Sequence, residues 1–208
     1  MLMLKNDFME HNFDYYLINN TGEPNVPLLM CNDDINSRGT DFIYLDEFAQ
    51  IEKPVYLALN PPVPPKPNLN VDFLELPSAV FSQKVADVLL SMSIEGYQLV
   101  PAIIVDNKKN EHADFWIENA YTCLKCFDDE KSIYEMDDFT ETWGEIEKIV
   151  FDKEALMKIP LKNRYIFRSE EASEFVFYHK TIVDAIMAAK PINIKFIPIE
   201  KWCQGVQF

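Results

Sequence analysis

Apolar positions in the second half of the chain follow two periods. Val85, Val88, Leu89 and Met92 recur at i, i+3, i+4 and i+7, which predicts a helix over 83–93. Ser82 stands at its N-cap and Glu95-Gly96 closes it. Leu99 to Val105 reads as a buried strand, and a long strand is predicted from Asp114 to Phe127. An acidic loop follows from Asp128 to Glu141, then a strand from Glu147 to Phe151. Asp152 caps a short helix through Met157. Tyr165–Phe167 and Phe175–Phe177 are strands, and Ile194–Ile199 is the last one. Between them Thr181–Ala189 is helical and stops before Pro191.

The first half is built differently. Residues 1–60 read as short strands with polar breaks, at Phe13–Ile18, Asp41–Leu45 and Val55–Leu59. Five of the 13 prolines then fall within Pro61–Pro67, which predicts an extended polyproline II strap with few amide donors. This divides the chain into a β-rich region 1–60, a strap and strand 61–75, and an α+β domain 76–208. Val80-Phe81-x-x-Lys84 is matched by Val176-Phe177-x-x-Lys180, and Leu99-Val100-Pro101 by Phe196-Ile197-Pro198. Residues 80–103 and 176–200 thus read as a repeated strand–helix–strand unit, its helices packing on one sheet, beside the alternative of chance similarity. The expected class is α+β, with a mixed or mainly antiparallel sheet and a few short helices.

Composition narrows the functional classes. The chain has 208 residues, with 19 Lys+Arg against 34 Asp+Glu, for a net charge of −15. Its 15 Phe and 9 Tyr mark a globular chain, because an acidic disordered one lacks such residues. The charge argues against non-specific nucleic-acid binding and docking on anionic lipid, and favours a basic partner. The start, MLMLKNDFMEHN, lacks the basic and apolar regions of a secretory signal, and no run approaches the ~20 apolar residues that span a bilayer. A cytoplasmic location is expected, with the four cysteines reduced.

Candidate chemistry is sparse. Cys123 and Cys126 form a CxxC, but a strand would point them to opposite faces, and no second CxxC completes a metal site. His11, His112 and His179 have no adjacent nucleophile, and His179 is placed to cap the helix that follows it. Five isolated glycines exclude a Gly-rich phosphate loop, so no cofactor is expected. Pro61-x-x-Pro64-x-Lys66 fits a short SH3-ligand pattern, and a strap packed on its own domain fits it better. Paired carboxylates such as Glu170-Glu171 are numerous, and nothing selects two that face across a cleft. The densest acidic stretch is Asp128–Glu154, with 11 acids against Lys131, Lys148 and Lys153. Asp128, Asp129, Glu130, Glu135, Asp137, Asp138 and Glu141 are interleaved there with Tyr134 and Trp143. Acids steer a basic protein and aromatics supply buried contact area, so these nine residues are the candidate partner-binding set. The competing reading is a solvated loop whose aromatics tuck into the core.

From Leu76 onward the order of features resembles a family of bacterial immunity proteins from polymorphic-toxin systems. The stretches that carry it are Val80–Leu89, Leu99–Ala102, Phe127–Ser132, Ile166–Arg168, Val176-Phe177 and Phe196–Pro198. They span about residues 76–200, and the N-terminal 75 residues carry no such pattern. The family's glycine before the last strand is replaced around Pro191-Ile192-Asn193. The resemblance implies a non-catalytic protein that binds a cognate toxin and neutralises it by occlusion. It transfers no catalytic residues, and Asp128 and Ser132 read equally well as turn caps. Two alternatives stand beside it: a carboxylate-based hydrolase, and a regulatory module that works through the proline strap.

Overall fold

The computed structural model describes residues 13–32, 47–136 and 143–203. It is α+β: the described residues hold thirteen strands, in two large sheets and one hairpin, and three short α-helices. The expected strand at Asp41–Leu45 lies outside the described residues.

The six-stranded sheet has the order β2 (Leu29–Cys31), β3 (Val55–Leu59), β6 (Tyr97–Val105), β7 (Glu111–Ala120), β5 (Val80–Ser82), β4 (Phe73–Leu74). Only β3 and β6 pair in parallel. The sheet curls until its edges meet, and Leu29 N donates to the carbonyl of Glu75 at 3.2 Å. Alternation then sorts the side chains. Leu74, Val80, Val100 and Ile117 fill the inside of the curl, while Phe73, Phe81 and Leu99 face outward into a second core. The expected strap of 61–67 is not one straight polyproline segment, because the chain bends at 61–62 and 65–66.

The five-stranded sheet has the order β13 (Lys195–Pro198), β1 (Tyr15–Asn19), β12 (Val176–His179), β11 (Ile166–Ser169), β8 (Cys123–Leu124). All pairs are antiparallel except β11 with β8. One face buries an aromatic cluster of Tyr15, Phe127, Phe151, Phe167 and Phe177. The opposite face joins the outward face of the curled sheet.

Helices α1 (Gln83–Leu90) and α3 (Lys180–Ala188) fill that shared layer with Val85, Ala86, Leu89, Ile182, Val183 and Ile186. Each fully buried aliphatic side chain contributes roughly 1.5–3 kcal/mol of transfer free energy. His179 caps α3 as expected, its Nδ1 accepting from Thr181 N at 3.1 Å. Ser82 sits at the N-cap of α1 but its hydroxyl donates to Asp72 Oδ1 at 2.6 Å, so the side-chain cap is not made. Asp152 caps α2 (Lys153–Met157) by accepting from Glu154 and Ala155 N–H.

The repeated unit has a topological counterpart, and it is carried on two sheets rather than one. In the first copy β5, α1 and β6 leave a gap that β7 fills antiparallel to both, with β4 outside β5. In the second, β12, α3 and β13 leave a gap that β1 fills antiparallel to both, with β11 outside β12. The filling strand follows its unit in one copy and precedes it by most of the chain in the other. Strands from both sides of the proline run therefore share both sheets.

Asp72 and Asn193 tie the copies together. Asp72 is paired with Lys84 Nζ at 2.6 Å and accepts from Ile192 N at 2.7 Å. Asn193 has φ +67, where asparagine and glycine are the tolerated residues. Its side chain donates to Phe73 O at 3.0 Å and accepts from Thr21 N at 3.2 Å. It therefore supplies the backbone freedom of the missing glycine and adds a staple.

Candidate functional site

The predicted long strand 114–127 does not run through. It ends at Ala120, turns at Tyr121-Thr122 and resumes as β8 in the other sheet. Gly96, at φ +68, takes both Tyr121 N and Thr122 N on its carbonyl at 3.0 Å, and a Cβ there would stand 1.5 Å from Thr122 Oγ1. This turn delivers the chain to the acidic segment.

The segment is not all loop. β9 (Ile133–Met136) pairs antiparallel with β10 (Trp143–Lys148), which starts earlier than the predicted strand 147–151. Phe151 instead makes an isolated bridge with Phe127. Tyr134 and Trp143 stack across the hairpin with ring centroids 3.5 Å apart and planes 6° from parallel. Trp143 is buried and also meets Phe127 at 4.9 Å, while Tyr134 is half-buried. Ile133 and Met136, each about half exposed, stand on the same strand.

Of the nine candidate residues, Asp129, Tyr134 and Trp143 line one shallow depression of about 320 Å³, together with Lys125, Met136, Glu170 and Glu171. Glu130 is exposed in the adjoining turn, and Glu135 is exposed on the face of β9 opposite Tyr134 and Met136. Asp137, Asp138 and Glu141 lie outside the described residues. Asp128 closes a turn: its carboxylate accepts from Glu130 N and Lys131 N and pairs with Lys131 Nζ. Those bonds from Lys131 and the turn amides hold the Asp128 carboxyl below its ordinary range. Ser132 does not cap the turn: its hydroxyl exchanges hydrogen bonds with the backbone of Val150, eighteen residues on. Glu171, unremarkable in sequence, is buried; it accepts from Cys126 N and Phe127 N, and Ser169 Oγ donates to it at 2.6 Å. It moors the base of the hairpin to β11.

A second feature lies between the sheets. Glu118, in the apolar run Phe115–Ala120, is 2% exposed, and the Tyr178 hydroxyl donates to it at 2.6 Å. Burial pushes its carboxyl up to about 7, against the opposing pull of Tyr178, Tyr97 and Arg168. It borders a cavity of about 690 Å³. The sequence shows the carboxylate amid apolar neighbours but not its partner sixty residues on.

Cys126 is buried past the end of β8 and Cys123 is half-buried on it. Burial, reinforced by Glu171 and Cys123, raises the Cys126 thiol well above its ordinary value. Among the described residues no group of three His, Cys, Asp or Glu side chains is placed to hold a metal ion. Also among them, no helix is long and apolar enough to cross a membrane.

A model of the immunity protein family (Imm11) matches residues 14–201. The chain belongs to that family. The Imm11 match begins at β1, so it includes the strands before the proline run as well as the stretches that carry the sequence resemblance. No curated protein matches the chain. Membership in Imm11 assigns an immunity role; it names neither the toxin nor the surface that meets it.

Proposed function

We propose that this Imm11 member is a non-catalytic, cytoplasmic immunity protein that neutralises a cognate bacterial toxin by covering a basic surface on it. The face that makes contact is the β9–β10 hairpin with its flanking turn. One observation carries this reading. Exposed Asp129 shares one depression with the stacked Tyr134–Trp143 pair and the half-exposed Met136, exposed Glu130 stands in the flanking turn, and Ile133 and Glu135 alternate onto the other face of β9. The acids accelerate encounter with a basic partner and disfavour acidic ones. The aromatic and aliphatic groups offer area that a partner can bury. The hairpin is anchored by Trp143 and Ile146 in the aromatic core, so it presents this surface already ordered.

The test is co-expression with a candidate toxin domain taken from a neighbouring gene. The wild-type chain should restore growth and co-purify with the domain. The triple variant Asp129→Lys, Glu130→Lys, Glu135→Lys changes only exposed side chains and should fold normally. It should lose at least tenfold in affinity and lose protection. Full protection by that variant would move the interface elsewhere, and killing in the presence of the wild-type chain would exclude the pair.

A further inference from the structure

The 690 Å³ cavity opens at the margin of the layer between the two sheets, where Phe73 of β4, Val176 of β12 and Trp202 approach one another. Its volume is that of a site for a side chain or small ligand rather than a packing defect. Its walls are largely apolar, with Phe73, Phe175 and Trp202 contributing ring surface. Its ionisable groups are few and unbalanced: Glu75, Glu118 and Glu174 against Arg168. Glu118 is the buried one, fixed by the Tyr178 hydroxyl. Glu75 is held by Asn20 Nδ2 at 2.6 Å, and Glu174 is exposed.

This composition selects the occupant. An anionic group would meet Glu75, Glu174 and the carboxyl of Glu118 with Arg168 alone to offset them. A purely apolar group would displace water from the carboxylates and return no hydrogen bond. A long aliphatic stem ending in a cation satisfies both parts, with methylenes on the rings and charge toward the acids. The cavity is also joined to the hairpin face by one stretch of chain. Glu170 and Glu171 line the hairpin depression, while Ser173, Glu174 and Phe175 line the cavity.

We propose that the cavity is a second contact site for the toxin, taking one arginine or lysine side chain from a basic segment that also crosses the hairpin. This rests on the reading of the chain as a toxin-binding protein, and it can fail separately. The probe is N-acetyl-arginine amide, titrated into the full ¹⁵N-labelled chain while the indole N–H signals are followed. Single Trp→Phe variants assign Trp116, Trp143 and Trp202. The arginine probe should move the Trp202 signal saturably in the millimolar range and leave Trp116, bonded to Gln83 on the outer surface, unmoved. N-acetyl-norleucine amide, with the stem and no charge, should bind at least fivefold more weakly. Glu174→Lys, on an exposed loop position, should weaken the arginine probe by a similar factor. A still Trp202 signal, equal binding of norleucine amide, or an indifferent Glu174→Lys would each overturn the proposal. None of these readouts involves the toxin, so any of them leaves the hairpin reading standing. Loss of growth rescue with intact arginine binding would sink the toxin reading and, with it, the toxin as source of the side chain, while leaving the cavity's preference for a cationic stem standing.

Discussion

Glu118→Gln isolates the cost of a buried carboxylate. The native carboxyl keeps its proton to about pH 7, whereas its ordinary value is 4.5. Between those values the folded state binds more protons than the unfolded chain, so rising pH removes stability. A shift of this size corresponds to about 3 kcal/mol once Glu118 is ionised in the fold. The contribution is fully present below the ordinary value and lost as pH passes through 7. Glutamine keeps the oxygen that accepts from Tyr178 and has nothing to ionise. Tyr97 and Tyr178 are both pushed further up by burial beside Glu118, so neither titrates in this window. The difference in stability between Glu118→Gln and wild type should therefore be constant below about pH 4.5 and grow by about 3 kcal/mol by pH 8. For a chain of this size, that moves the urea midpoint by about 1–2 M. Urea unfolding of both proteins across this range measures it, and effects shared by both cancel. A difference that stays level, or shrinks as pH rises, would refute the assignment of a burial penalty to Glu118.

Asp72 titrates in the opposite sense. Burial opposes its ionisation, but bonds from Lys84, Ser82 and Ile192 N outweigh it and hold the carboxyl below its ordinary range. Its stabilisation is present above the ordinary Asp value and disappears as pH falls through the depressed one. Asp72→Asn should cost about 1.5–3 kcal/mol at neutral pH and flatten the acid limb of the stability curve, read by thermal unfolding against pH. Gly96→Ala should cost roughly 2–4 kcal/mol, from positive φ and the collision with Thr122, and a urea midpoint equal to wild type would contradict it. Cys126 should resist iodoacetamide in the native protein while Cys31, Cys123 and Cys203, each half-buried, react; peptide mass mapping distinguishes them, and equal labelling of Cys123 and Cys126 would be the contrary result.

What the chain reveals locally, the fold keeps. Val55–Leu59 is a strand at the expected residues, and Asp152 and His179 cap the helices they precede. These features depend on neighbours within a few residues. The misread features depend on distant ones. The strand from Asp114 breaks because Gly96 captures two of its amides. The Ser82 hydroxyl is taken by Asp72 before it can cap α1. β9 is strand because β10 pairs with it, since Ile133–Met136 carries too little alternation to say so alone. The candidate site was legible in the same measure. Acids and aromatics in one stretch signal a surface, and Asp129, Tyr134 and Trp143 do meet. Their companions Lys125 and Glu170 each follow directly on one of two strands that pair in parallel, and only the sheet order brings them together.

The position of β1 has a consequence for how the molecule is made. This strand leaves the ribosome before every other described strand, yet both of its partners, β12 and β13, leave near the end. The curled sheet, whose strands lie between residues 29 and 120, can close while synthesis continues. Tyr15-Tyr16-Leu17-Ile18 must wait through that interval as an apolar strand with two unpaired edges, the kind of segment that seeks other chains. Shortening the start of the protein past Asp14 would not trim an appendage. It would empty the middle of the five-stranded sheet and leave β12 and β13 with nothing between them.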